Sequence, residues 1–298
     1  MINKIRLLNR FEPPLHKGVL QILMLGYNMI WKCRDKKIEY GKKVLIMGIV
    51  NVTPDSFSDG GDHFSPQDAI DCTFSLADDG ADIIDIGAQS TRPGHTPVSD
   101  EEEWSRLEPV LKAVCGKIGV PVSVDTYYPS VAEKALQAGA DIINDVSGII
   151  SPEMAKIVKN TLCGWIIMHN GAGSVGEVKE FFINSAEECE RLGIDAAQLC
   201  FDMGIGFGKD YEENMELLAN VSQYKIEGYP LLLGTSRKRV IGAGSNQDNP
   251  KERVYGNIAA DTAAILGGAD IIRIHDVKNE KQGILMAQNL KGYVKQNG

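Results

Sequence analysis

The sequence predicts an α/β protein, a (β/α)8 barrel of the TIM type, and three observations carry that prediction. Short apolar, β-branched runs alternate with longer amphipathic segments along most of the 298 residues, the pattern of a parallel sheet with covering helices. The string Gly-Ala-Asp-Ile-Ile occurs three times, starting at Gly80, Gly139 and Gly268. Its copies are spaced by roughly two and four units of about 30 residues, the length of a strand-helix-strand unit. A barrel of this kind commonly fills about 250 residues as one domain.

Taken in order, residues 1–28 are expected to lie outside that domain, as an N-terminal extension. Lys4, Arg6, Arg10 and Lys17 precede an apolar stretch from Val19 to Leu25 that superficially imitates a signal peptide. The stretch is short, contains Gln21 and lacks a small-residue cleavage site. It also falls far below the roughly 18 to 20 apolar residues of a membrane span. Deleting residues 1–28 should therefore leave stability unchanged. The domain is expected over 29–298, beginning with a small hairpin between Trp31 and Tyr40.

Eight strands follow: Val44 to Val50, Asp82 to Ile86, Val122 to Val124, Asp141 to Val146, Trp165 to Met168, Leu199 to Phe201, Leu231 to Leu233 and Ile271 to Ile274. Their bodies are nearly continuous Ile, Val and Leu, as expected for strands buried on both faces. Helical segments between them include Pro66 to Asp79, Glu101 to Val114, Pro129 to Ala138 and Val254 to Leu266. Ser99 with Glu102 reads as a capping box before the second of these. No Pro-rich linker divides the series.

Each strand ends in polar residues: Asn51, Asp85, Asp125, Asn144, His169, Asp202, Ser236 with Lys238, and Arg273 with His275. The C-terminal rim of such a barrel holds the active site, because the loops after the strands converge there. Alone, each residue has a bland reading. Asp85 or Asp125 could cap the next helix, His169 could be a satisfied upper-layer histidine, and Arg237 to Arg239 could be a solvated helix face. Eight polar tips together describe a pocket.

A formal net charge of −9 would repel nucleic acid and anionic membranes at long range, so an anionic ligand must be caught locally. The 6 cysteines are scattered, without a C-x-x-C pair, which suits a reducing cytoplasm.

The first-strand loop reads Asn-Val-Thr-Pro-Asp-Ser-Phe-Ser-Asp-Gly-Gly (51–61), and the second reads Gln-Ser-Thr-Arg-Pro-Gly (89–94). Pro-Val-Ser-Val-Asp-Thr (121–126), Asn144-Asp145, Asp-Met-Gly-Ile-Gly-Phe-Gly-Lys (202–209), Thr-Ser-Arg-Lys (235–238) and Arg-Ile-His-Asp (273–276) follow. In this order, over about residues 44 to 280, the chain resembles the dihydropteroate synthase family. Gly204 to Lys209 alone is weak evidence, because it lacks the spacing and the Ser/Thr of a P-loop and suits a tight turn.

The resemblance implies condensation of a 6-hydroxymethyl-dihydropterin diphosphate with p-aminobenzoate. Asp125, Asn144, Asp202 and Lys238 would bind the pterin, whose adjacent amino and ring N–H groups suit a carboxylate. Asn51, Arg273 and His275 would take the diphosphate, and Asn51 with Asp59 would hold Mg²⁺. Phe57, Thr91, Arg92, Pro93, Ser236, Lys238 and Arg239 would enclose p-aminobenzoate, the locus at which sulfonamides compete. A homodimer through helices near the C-terminus is implied as well.

Two positions depart from the family pattern: Gln89 stands where Glu is usual, and Met203 interrupts the usual Asp-Pro-Gly, which would loosen the turn beside Asp202. They leave room for a catalytically impaired pterin-binding paralogue. A methyltetrahydrofolate:corrinoid methyltransferase shares Asp and Asn rims but has no use for Arg-x-His or for the first loop.

Overall fold

The computed structural model describes residues 29–53, 65–89 and 97–293. The expected extension, 1–28, lies outside the described residues. The chain opens with an antiparallel hairpin, β1 (Met29–Cys33) and β2 (Lys36–Tyr40). Eight parallel strands then close a barrel: β3 (Leu45–Asn51), β4 (Ile83–Gly87), β5 (Val122–Asp125), β6 (Ile142–Asp145), β7 (Gly164–Met168), β8 (Leu199–Asp202), β9 (Leu231–Leu233) and β10 (Ile271–Ile274). β10 pairs with β3 to complete the ring.

The covering helices are α1 (Pro66–Asp79), α2 (Asp100–Val114), α3 (Pro129–Gln137), α4 (Pro152–Thr161), α5 (Val175–Leu192), α6 (Tyr211–Ala219), the short α7 (Val221–Tyr224), α8 (Arg239–Ser245), α9 (Val254–Leu266) and α10 (Val277–Lys291). Local chemistry sets their ends. Ser65 accepts from the Gln67 amide and Pro66 occupies the first turn, where its missing N–H costs nothing. At Ser99 only half of the expected capping box forms. Its hydroxyl accepts from the Glu102 amide at 3.2 Å, while the Glu102 carboxylate pairs with Arg106.

Each Gly-Ala-Asp-Ile-Ile copy begins one strand and fastens it to its predecessor. The glycine takes φ near 103°, 108° or 107° as the chain turns off a helix, a region open to glycine at little cost. The aspartate accepts a backbone N–H of the preceding strand: Asp82 from Ile46 at 3.0 Å, Asp141 from Val122 at 2.9 Å, and Asp270 from Leu231 at 3.0 Å. A lysine pairs with each, Lys43, Lys36 and Lys225 respectively. The two isoleucines then enter the sheet, one facing in and one facing out.

Strand periodicity divides the core. Ile46, Ile84, Ile143, Ile167, Phe201 and Ile272 face the helices, whereas Leu45, Met47, Ile83, Ile142, Ile166, Cys200, Leu232 and Ile271 fill the barrel. The hairpin stoppers the lower end of this interior. Trp31, Cys33, Ile38 and Tyr40 join the inner cluster, and their alternate neighbours Lys32, Lys37 and Glu39 face solvent. Trp31 is fully buried, and its Nε1 donates to the Gln198 carbonyl at 2.8 Å. Gly164 makes room for the hairpin, since a Cβ there would stand 2.6 Å from Cys33 Sγ.

Candidate active site

The same period of two builds the site. On five strands the residue two beyond an inward-facing floor residue points into the barrel at its upper end: Asp85 above Ile83, Asp125 above Ser123, Asn144 above Ile142, Asp202 above Cys200 and Arg273 above Ile271. The structure thus brings the predicted tips of β5, β6, β8 and β10 together over one floor.

Arg273 lies at the centre. Its Nη2 sits 2.6 Å from Asp85 Oδ2 and 2.8 Å from Asp125 Oδ2, and its Nε donates to Asp85 Oδ2 at 2.7 Å. Asn144 Nδ2 donates to the same Asp85 oxygen at 3.0 Å. Asn144 Oδ1 is buried and finds no hydrogen-bond partner among the described residues, which leaves one acceptor unused on this floor. Asp85 is fully buried. It caps no helix, and it orients Arg273 and Asn144 together. Sequence reasoning saw it as a polar tip without giving it this role, because the partner is 188 residues away.

On the opposite side, Asp202 accepts the Gly204 amide at 2.8 Å and faces Lys238. Lys238 Nζ donates to the Ile205 carbonyl at 2.6 Å and stands 4.8 Å from the centre of the Phe207 ring. The turn Gly204 to Lys209 is a tight loop. Gly204, at φ 66°, lies so close to the His169 carbonyl that a Cβ would come within 1.9 Å of its oxygen. Buried Lys209 holds the loop from below, donating to the carbonyls of His169 at 3.2 Å, Gly204 at 3.1 Å and Phe207 at 3.3 Å. Met203 is fully buried beside these bonds. The slack expected from losing a proline is therefore taken up by the Gly204 amide bonded to Asp202 and by the three bonds that Lys209 donates.

Burial sets the charge states. It pushes Asp125 up to about 7 despite the opposing Arg273 guanidinium, and the carboxylates of Asp85 and Glu103 raise it further. It raises Asp202 as well, with Lys238 opposing. Lys238 is lowered by burial to about 8, against the pull of Asp202. His169 is lowered by burial to about 4 and packs its ring edge-on against Phe181 at 5.2 Å, as a neutral upper-layer side chain.

At the mouth, His275 sits just past β10. Its Nδ1 lies 3.0 Å from Ser236 Oγ, and its backbone N–H donates to the same oxygen at 3.2 Å. Its Nε2 lies 3.3 Å from Asn51 Nδ2. Asn51, Ser236 and His275 thus form one group, with Ser236 serving as the seat of the imidazole. Ser236 is followed by Arg237 at φ 61°. A non-glycine residue held there costs on the order of 1–2 kcal/mol, so the surrounding structure must hold it. Arg239 opens α8 and faces solvent.

Phe57, Asp59, Thr91, Arg92 and Pro93 lie outside the described residues. The base of the second loop is described, and Gln89 anchors it. Its Oε1 accepts the Val98 amide at 2.9 Å and its Nε2 donates to Tyr127 Oη at 2.7 Å. Tyr127 Oη lies 3.5 Å from Tyr128 Oη, which donates to the Val98 carbonyl at 2.8 Å. Gln89 therefore completes an uncharged circuit that returns to Val98, in which its amide donates where a carboxylate could only accept. Among the described residues no group of three or more His, Cys, Asp or Glu side chains could hold a metal ion.

A model of the pterin binding enzyme family matches residues 47–275. The chain is 42% identical over 253 residues to a dihydropteroate synthase of Synechocystis sp., covering 80% of this chain and 88% of that protein. Among solved structures, Xanthomonas albilineans dihydropteroate synthase with 4-aminobenzoic acid superposes with a TM-score of 0.84 at 37% identity, covering 89% of this chain and 99% of that one. The Xanthomonas albilineans enzyme in complex with 7,8-dihydropteroate gives a TM-score of 0.81 at 36% identity, covering 88% and 98% respectively.

Proposed function

The chain belongs to the pterin-binding enzymes, in the dihydropteroate synthase family, and from that premise we propose how its rim carries out the family's condensation. The enzyme joins 6-hydroxymethyl-7,8-dihydropterin diphosphate to p-aminobenzoate, making 7,8-dihydropteroate and diphosphate in folate biosynthesis. One observation supports this rim assignment above the others: the floor combines the half-buried carboxylate of Asp125 and the buried one of Asp202 with the unpartnered amide oxygen of Asn144. A flat heterocycle that presents amino and ring N–H donors along its edge matches that set of acceptors.

In this reading Asp125 and Asn144 take one edge of the pterin and Asp202 another, with the Lys238 ammonium at the carbonyl side. The bond from the methylene carbon to the diphosphate oxygen breaks, leaving a cation delocalised into the pterin ring. The ionised floor carboxylates stabilise that developing charge in a site shielded from water. The p-aminobenzoate nitrogen attacks the cationic methylene, and the acidic anilinium that results passes its proton to water or to the released diphosphate, so no strong general base is needed.

Arg273 links the two halves of the reaction. Its guanidinium pairs with both Asp125 and Asp85. When the pterin N–H groups engage Asp125, one arm of the guanidinium is released toward the diphosphate while Asp85 keeps hold of the rest. His275, seated on Ser236, adds a second donor for the leaving group. Lys238 and Ser236 border the position of the p-aminobenzoate carboxylate, and Arg239 stands at its outer edge.

Mg²⁺ fits as a guest of the diphosphate. The described residues supply no set of three or more His, Cys, Asp or Glu side chains that could hold a metal ion, and Asn51 offers one neutral oxygen. Mg²⁺ prefers phosphate oxygens and water with one or two protein oxygens, and Asp59 would be the second. When bound, it neutralises charge on the departing diphosphate.

Incubating the protein with pterin diphosphate, p-aminobenzoate and Mg²⁺ should release diphosphate and dihydropteroate together. Pterin binding without product would instead mark a binding paralogue. The profile of kcat/KM against pH should be bell-shaped, since this ratio reports free-enzyme groups. It should rise through about 7 as Asp125 ionises and fall beyond about 8 as Lys238 loses its proton. Asp125→Asn should remove the acid limb and weaken pterin binding. An acid limb that survives in this variant assigns the ionisation to another group.

We place the enzyme in the cytoplasm as a homodimer. All six thiols are unpaired. Tyr255, Met286, Leu290 and Tyr293 leave an apolar patch on and after α9 and α10, with relative exposures of 85%, 57%, 42% and 87%. A two-chain mass by sedimentation is expected, and a single-chain mass would overturn the dimer.

A further inference from the structure

We propose that Arg253, which lies outside every motif behind the family resemblance, is a positioning residue that holds the strained Ser236-Arg237-Lys238 turn and so places Ser236 and Lys238. The inference rests on the functional reading above. Arg253 precedes α9 and is 8% exposed. Its Nη1 donates to the carbonyls of Arg237 at 2.8 Å and Lys238 at 3.2 Å, its Nε to Gln247 at 2.9 Å and its Nη2 to Asp248 at 2.6 Å. The first two carbonyls enter α8 and the last two leave it, so one guanidinium spans both ends of the helix.

The geometry suits arginine specifically. A planar fork can meet four converging carbonyls, whereas an ammonium is a single compact donor. The helix is shaped to receive it: a Cβ on Gly242 would stand 2.6 Å from Arg253 Cζ. The residue in need of support is Arg237, whose φ of 61° its own side chain does not favour. Its carbonyl takes the 2.8 Å bond. The helix that follows Arg253, α9, steadies the turn from its other side, because the Thr235 hydroxyl donates to buried Asp261 at 2.6 Å. Displacing the turn would move Ser236 away from His275 and Lys238 away from Asp202 together, which is how a residue without substrate contact reaches the chemistry.

The test uses the full chain and steady-state kinetics with both substrates, after confirming that each variant is folded at the assay temperature. Arg253→Lys should lower kcat/KM by about tenfold or more, the loss expected when reacting groups are misplaced. Gly242→Ala, which keeps Arg253 and its charge but pushes the guanidinium aside, should reproduce that loss and serves if the first variant does not fold. In an Arg237→Gly background the glycine takes the positive φ unaided, so the further loss from Arg253→Lys should shrink at least about threefold. Kinetics within twofold of wild type for either single variant, or an undiminished loss in the Arg237→Gly background, overturns the proposal. A purely structural role would lower the melting temperature and leave these ratios unchanged. Absence of product from the wild type would sink the functional reading instead, a result separate from any comparison among variants.

Discussion

Arg273→Ala is expected to cut turnover with the pterin diphosphate by more than about tenfold and to destabilise the fold by about 3–5 kcal/mol. The kinetic loss follows from removing the donor assigned to the leaving group. The stability loss follows from the buried pairing, in which the guanidinium faces Asp85 and Asp125 at 2.6 and 2.8 Å. Removing one partner of a buried pair leaves a charge without compensation.

The loss should depend on pH, with a sign that can be worked out. Arg273 lowers the pKa of Asp125, which burial has already pushed up to about 7. Without Arg273 that pKa moves further up, away from its unfolded value near 3.9. A carboxyl that holds its proton more tightly when folded contributes most at low pH, and the contribution is lost as pH rises through the folded pKa. The variant should therefore be closest to wild type near pH 6 and furthest from it above pH 8, as urea denaturation at the two pH values would measure. Unchanged kinetics would remove Arg273 from the site, and a pH-independent stability difference would refute its pairing with Asp125.

Trp31→Ala is expected to cost about 3–5 kcal/mol of stability while leaving the substrate KM values near wild type in protein kept folded. Trp31 is fully buried at the end of the barrel opposite the rim, and its Nε1 bonds the Gln198 carbonyl. Truncation opens a cavity beneath the inner cluster and leaves that carbonyl without its partner. Denaturant midpoints measure the first effect and kinetics at low temperature the second. A small stability change would mean that the hairpin merely rests on the barrel.

Much of the fold was legible because strand burial writes itself as apolar runs. The eight runs read from the sequence fall on the eight barrel strands within a residue or so at each end, and Val254 to Leu266 is a helix as expected. That polar residues gather at the strand tips was also legible. What the tips do to one another was not. Arg273 and His275 stand two apart, but Arg273 turns inward to Asp85 and Asp125 while His275 sits against Ser236 and Asn51. Such pairings depend on strand order and stagger, which local sequence does not encode. Arg253 was silent for a related reason: its partners are carbonyls, and any residue supplies those.

The thrice-repeated Gly-Ala-Asp-Ile-Ile has a consequence for how this lineage can change. In each copy the aspartate fastens the base of a strand, while the residues after the second isoleucine furnish the rim. Damage at the base is a folding defect alone, whereas damage at the tip removes chemistry and, at Arg273, also leaves Asp85 and Asp125 without their partner. A duplicated gene can therefore lose its chemistry at the tips while the strand bases keep the barrel closed, at a stability cost where Arg273 parts from its carboxylates. In this chain all three tips remain furnished, with Asp85, Asn144 and Arg273 bound to one another on one floor, the arrangement that such drift would be expected to erase first.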